Sequence, residues 1–251
     1  MSIQPPAPRP DSRFRLFVFD LDGTLIDSRR DLAASVNALL SEYGARPLPE
    51  DAVGRMVGDG AAMLVARALT ASGLEPSPAA LQRFLEIYNA HLTDHTRPYP
   101  GIAETLRELG RRAALAVLTN KPIAPTRTIL DRLGLARYFA ADRVIGGDGL
   151  FPRKPDPSGL RFLARTTAIA LEETLMVGDS TIDCRTAEAA PTAICLAMWG
   201  FGCQFPSPPP VAIAQSPAAS ARSPAGGPQS GASRPRGEAI FIESPTDLLR
   251  L

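Results

Sequence analysis

Residues 14 to 24 read FRLFVFDLDGT, and this stretch constrains the chain more than any other. Phe14 to Phe19 is a short, largely apolar run of aromatic and branched residues, the composition of a strand covered on both faces. Asp20 and Asp22 follow at once, with Gly23 behind them. Strands covered on both faces belong to parallel sheets flanked by helices, and such sheets bind ligands at the carboxyl edge. Alternation puts Asp20 and Asp22 on one side, so two negative charges share a small space. That is costly unless one carboxyl stays protonated or a cation is present. Mg²⁺, a hard ion that takes oxygen ligands, meets the need. Alone, the two aspartates and the glycine would equally suit a turn, so their weight depends on the rest of the chain.

After this strand the pattern turns helical. Ser28 is placed to cap a helix through about Tyr43, with Leu32, Val36, Leu39 and Leu40 at helical spacing and Gly44 at its end. A second helix is expected from about Pro49, broken near Gly58-Asp59-Gly60 and resuming through Leu69. A third is expected from about Ser77 to His95, with Leu81, Phe84, Leu85, Tyr88 and Leu92 on one face. No strand is legible between Asp27 and Arg97, so this block reads as a helical lid inserted directly after the first strand.

From Tyr99 onward strands and helices alternate. Strands are expected at Ala113 to Leu118, near Arg143 to Ile145, at Thr174 to Val177, at Thr192 to Ala197 and at Glu238 to Ile242. Helices are expected between them, with a closing helical turn from Pro245 to Arg250. The pattern predicts an α/β fold, a doubly wound, Rossmann-like parallel sheet with a small all-helical cap. Residues 14–26 and 99–203 form the expected core and 27–98 the cap, with 237–251 returning to the core. Residues 1–13 read as a disordered leader without a signal-type apolar segment. Residues 204–236, rich in Pro, Ser, Ala and Gly, read as a disordered insertion.

Composition narrows the classes of function. A formal charge of +1 gives no electrostatic case for nucleic acid, and no apolar run is long enough to cross a bilayer. Cys184, Cys195 and Cys203 are few and odd in number, which argues against a disulfide framework and for a reducing cytoplasm. A monomer or homodimer is expected.

Four polar clusters fall at strand ends. They are Asp20 with Asp22, Thr119 with Asn120, Lys154 in the KPDP loop, and Asp179 with Asp183 in GDSTID. Singly, each has a plain reading: a turn, a solvated loop lysine, capping charges at a helix start. Jointly they supply what phosphoryl transfer needs: an in-line nucleophile, neutralisation of the phosphoryl oxygens, and a proton donor for the leaving group.

The string DLDGTLIDS, followed in order by TN, KPDP and GDSTID, resembles the signature of the haloacid dehalogenase-like hydrolases, most of which are phosphatases. The resemblance implies that Asp20 is the nucleophile, carrying an aspartyl-phosphate, and that Asp22 is the acid and then the base. It implies Mg²⁺ held by Asp20, the Asp22 backbone carbonyl and Asp179, with Asp183 as a ligand or a support. Thr119 and the Asn120 amide would hydrogen-bond phosphate, and Lys154 would offset charge on phosphate and Asp20. Halide-displacing members lack an aspartate two residues after the nucleophile, so Asp22 favours phosphate esters.

Within the cap, VGDGAAMLVARAL (57–69) and HTRPYPG (95–101) resemble segments of bacterial phosphoglycolate phosphatases, as does TNKP at 119–122. The substrate this implies is a small phosphorylated metabolite, 2-phosphoglycolate. Arg55, or the backbone of Gly58, Asp59 and Gly60, are the candidates to meet its carboxylate. A sugar phosphate, a pyrophosphate, a mutase reaction, or an idle copy that only binds a phospholigand are the alternatives. His91 and His95, four apart on the third cap helix, read as surface or packing residues without an acidic or cysteine partner nearby. Trp199 reads as packing.

Overall fold

A computed structural model describes residues 13–202 and 239–251, and its sheet is built around the strand of the opening stretch, β1 (Leu16–Phe19). The expected insertion, Cys203 and all of the leader but Arg13 lie outside the described residues. Beyond β1 the chain passes through a short strand, β2 (Ile26–Asp27), and four helices. These are α1 (Arg29–Glu42), α2 (Glu50–Gly54), α3 (Ala61–Ala71) and α4 (Pro78–Ala90). A second short strand, β3 (Arg97–Pro98), returns the chain beside β2.

Alternation follows: α5 (Ile102–Leu109), β4 (Ala114–Leu118), α6 (Ile123–Arg132), β5 (Val144–Ile145), α7 (Ser158–Thr167) and β6 (Thr174–Gly178). Then come α8 (Thr181–Ala189), β7 (Ala193–Ala197), β8 (Ala239–Ile242) and a closing 3₁₀ turn, Pro245–Arg250.

The main sheet is parallel, with strand order β5-β4-β1-β6-β7-β8. The chain therefore builds one side of β1 first and then crosses to build the other. That reversal opens a crevice at the carboxyl end of β1, between β4 and β6, where such sheets take their ligands. The strand residues are buried on both faces, as the run of branched and aromatic residues requires. Phe17, Phe19, Leu115, Val117, Leu175 and Val177 join one apolar cluster, while Leu16, Val18, Ala116, Leu118 and Met176 join the other. The first cluster continues through Leu21, Leu25 and Ile26 into Val36, Leu40, Leu69 and Phe84 of α1, α3 and α4, so the sheet and these helices share one apolar interior.

Three local expectations change. The block from Asp27 to Arg97 does include strand residues, because Ile26 pairs with Pro98 and Asp27 with Arg97 in an antiparallel ladder. Helix α4 ends at Ala90, and His91 is its C-cap, so His91 and His95 do not share a helix face. Ser28 precedes α1 without capping it through its side chain; the hydroxyl turns to Asp22 instead. Among the described residues no helix is long and apolar enough to cross a membrane.

Candidate active site

Each of the three central strands hands one polar residue to the crevice. Asp20 follows β1, Thr119 follows β4 and Asp179 follows β6, and all three are buried. Backbone bonds fix the edge: Asp20 N–H donates to Val177 O at 2.9 Å, and Thr119 N–H to Ile145 O at 3.0 Å. Carboxylate oxygens of Asp20, Asp179 and Asp183 lie within 4.8 Å of one another. Lys154 reaches into this cluster from the KPDP loop, its Nζ 2.9 Å from Asp20 Oδ1 and 2.6 Å from Asp183 Oδ1.

Three buried carboxylates therefore face one buried ammonium. Burial is the largest influence on Asp20; with the repulsion of Asp183 it outweighs Lys154 and pushes the carboxyl up to about 6. Asp179 is raised well above the usual carboxylate range, first by burial and then by Asp183 and Asp20. Burial works to lower Lys154, but the two carboxylates beside it outweigh burial and hold it charged. An all-oxygen donor set with excess negative charge fits a hard divalent cation. Asp179 is held for such a role: Thr24 Oγ1 donates to its Oδ1 at 3.2 Å and Gly202 N–H to its Oδ2 at 2.7 Å. The backbone at Gly23, with φ +86°, passes so close that a Cβ there would lie 2.1 Å from Asp179 Oδ2.

Asp183 is committed on both sides. Its Oδ2 accepts from Ser180 N–H and Oγ in the capping box of α8, and its Oδ1 accepts from Lys154. Asp22 turns the other way, toward the cap. Its Oδ1 accepts from Ser28 Oγ at 2.6 Å, and its Oδ2 lies 3.0 Å from Lys121 Nζ. Lys121 Nζ also donates to Tyr88 Oη of α4 at 2.8 Å. The Asn120 side chain is spent on architecture: Nδ2 donates to Gly58 O and Lys154 O, each at 3.0 Å, and Oδ1 accepts from Lys154 N–H at 2.8 Å. One amide thus ties the KPDP loop to the cap.

A cavity of about 50 Å³ lies between these residues and the cap. Its wall includes Asp20, Asp22, Thr119 and Lys121 from the core, and Gly58, Gly60, Phe84 and Tyr88 from the cap. Of the cap residues singled out in the sequence, Gly58 and Gly60 line it, whereas Arg55 is exposed and outside the wall. Asp59 is also outside, paired with Arg67. His91 has an acidic partner after all, Asp94 Oδ2 at 2.7 Å. The His95 backbone N–H donates to Asp31. Trp199 packs edge-on to Tyr99 and donates from Nε1 to Thr24 O at 3.1 Å. Among the described residues Cys184 and Cys195 are free thiols. In the sequence Ser28 suits a helix cap and Tyr88 a packed helix face, and neither is marked for this site, nor is Lys121 singled out; TNKP held the signal for Lys121, while nothing local marks the site roles of the other two.

The family model for haloacid dehalogenase-like hydrolases matches residues 17–197. The chain is 40% identical over 195 residues to phosphoglycolate phosphatase 1 of Pseudomonas aeruginosa, covering 74% of this chain and 70% of that protein. It is 42% identical over 193 residues to the phosphoglycolate phosphatase of Rhodospirillum rubrum, covering 73% and 79%. Among solved structures, that of a "predicted phosphoglycolate phosphatase" from Haemophilus somnus superposes with a TM-score of 0.72 at 31% identity, covering 78% of this chain and 90% of that one.

Proposed function

We propose a substrate and a mechanism from a settled premise: this chain belongs to the haloacid dehalogenase-like hydrolase family, and it is a phosphoric monoester hydrolase. The substrate is a small phosphomonoester, 2-phosphoglycolate, cleaved to glycolate and phosphate. Relatives at 40% and 42% identity carry that name.

One observation carries the mechanism: Asp20, at the end of the central strand, is held by Lys154 at 2.9 Å beside Thr119 and a second carboxyl, Asp22. Asp20 attacks phosphorus, the bond to the ester oxygen breaks, and an aspartyl-phosphate forms. Asp22 gives its proton to the departing alkoxide and then takes one from the water that attacks the aspartyl-phosphate, releasing phosphate and restoring Asp20. Thr119 Oγ1 and the Asn120 backbone N–H hold phosphoryl oxygens, since the Asn120 side-chain donors are taken. Lys154, kept charged and aimed by Asp183, offsets the negative charge of Asp20 and of the phosphoryl group. A divalent cation, Mg²⁺ in our reading, would be held by Asp20, Asp179 and the Asp22 backbone carbonyl with Asp183 in support, and supplies further charge neutralisation. The apolar cap wall of Phe84, Leu85 and Leu64 keeps bulk water from the reaction. The few cysteines, odd in number, suit a reducing cytoplasm.

Phosphate release with Mg²⁺ across a panel of small phosphomonoesters tests this reading. It predicts 2-phosphoglycolate as the best substrate and loss of turnover in Asp20→Asn. A sugar phosphate turned over faster would overturn the substrate, and an active Asp20→Asn would overturn the mechanism.

A further inference from the structure

The mechanism gives no task to the second buried ammonium. Lys121 follows Thr119 and Asn120 at the end of β4 and is only 8% exposed. An ammonium has three donors. Asp22 Oδ2, at 3.0 Å, and Tyr88 Oη, at 2.8 Å, take two of them, and the third has no partner among the described residues. Lys121 is also the only cationic side chain in the cavity wall among the described residues. Arg55, the cap cation that the sequence offered for this task, is exposed and outside the wall.

We infer that Lys121, set in place by Tyr88, is the specificity-determining residue for a substrate whose second anion is a carboxylate on the carbon bearing the phosphoester oxygen. This inference rests on the phosphatase reading above and deepens it. To receive a proton, the ester oxygen must lie against Asp22, whose Oδ2 is 3.0 Å from Lys121 Nζ. A carboxylate one carbon from that oxygen places its own oxygens about 3 Å away, within reach of the same ammonium. A charge carried two or three carbons further would pass Lys121 and meet Leu64, Phe84 and Leu85, where burying it unpaired is costly. A neutral substituent leaves the donor unfilled, which costs binding in a desolvated pocket. Tyr88 stands on α4 of the cap, so Lys121 is set for this contact only when the cap lies over the core. Substrate choice and cap closure thus meet in one hydrogen bond.

The test is steady-state kinetics on 2-phosphoglycolate and on ethyl phosphate, which replaces the carboxylate by a methyl group with no hydrogen-bond acceptor. Wild type, Lys121→Met and Tyr88→Phe are compared. In wild type kcat/KM favours the carboxylate ester. In Lys121→Met that preference shrinks on the order of 100-fold, chiefly through KM for 2-phosphoglycolate. Tyr88→Phe shrinks it in the same direction by about 10-fold and serves alone if Lys121→Met fails to fold. Equal losses on both esters through kcat would overturn the inference, since Lys121 would then serve only Asp22. A wild type that hydrolyses phosphate esters but ignores the carboxylate would also overturn it, leaving the phosphatase reading standing. A wild type that releases no phosphate from any ester with Mg²⁺ present would remove both.

Discussion

Lys154 Nζ lies 2.6 Å from Asp183 Oδ1, and the other oxygen of Asp183 is fixed by Ser180 in the capping box of α8. A helix start therefore aims a lysine at Asp20, 2.9 Å away. Asp183→Asn keeps the shape but removes the charge that holds Lys154. We expect kcat to fall on the order of 10- to 100-fold with KM little changed, and stability to fall by about 2 kcal/mol in urea titration. Undiminished kcat would show that Asp183 serves only the helix cap.

The three clustered carboxylates predict a cation-dependent melting temperature. A divalent cation at about 100 times its Kd should add about 2.7 kcal/mol of stability, read as a rise in melting temperature on Mg²⁺ titration and its loss with chelator. Asp179→Asn should remove most of that rise without unfolding the protein in chelator. A rise of equal size in Asp179→Asn would move the cation elsewhere.

Asp31 is buried on α1 and accepts bonds from the His95 and Thr96 backbone N–H groups and from Thr96 Oγ1, at 2.7 to 3.0 Å. It clamps the start of the cap to the chain that leaves it. Asp31→Ala strands these donors in the interior, and we expect a loss of about 2–4 kcal/mol by urea unfolding. An unchanged midpoint would mean that water replaces the carboxylate at no cost.

At the end of β2, burial tends to raise the Asp27 carboxyl, but Arg29 donates to both its oxygens, at 3.0 and 2.6 Å, and holds it below its ordinary 3.8. A depressed folded-state value means that the contribution is present above 3.8 and is lost as pH falls through the folded value. The pair is about one-third exposed, so screening limits it to about 0.5–1 kcal/mol. Asp27→Asn should therefore melt below wild type at neutral pH, and the two curves should converge as pH falls below 3.8. A constant gap across that range would exclude the ion pair as its source.

Much of the sheet and of the site was legible because strand periodicity and strand-end residues are local signals. Leu16 to Phe19 had to be buried, and Asp20, Thr119 and Asp179 then fell at the edge where parallel sheets bind. What escaped was long-range or too short to have a period. The strands Ile26–Asp27 and Arg97–Pro98 are two residues each, and only their pairing defines them. The third cap helix was drawn too long because Leu92 keeps the apolar spacing, although the helix stops at Ala90 and Leu92 is buried from beyond its end. Arg55 suited the chemistry of a carboxylate, but its position at the end of α2 leaves it exposed. Lys121 meets Asp22 and Tyr88 only once core and cap are folded together, so its partners could not be read from TNKP.

The most direct test of the account is covalent capture of the phosphoryl group. Wild-type enzyme turning over 2-phosphoglycolate with Mg²⁺ is quenched in acid, and its peptides are weighed for a phosphoryl adduct. The account predicts the adduct on the peptide that holds Asp20, and neither adduct nor turnover in Asp20→Asn. Turnover by wild type with Asp20 unmodified, together with an active Asp20→Asn, would contradict it.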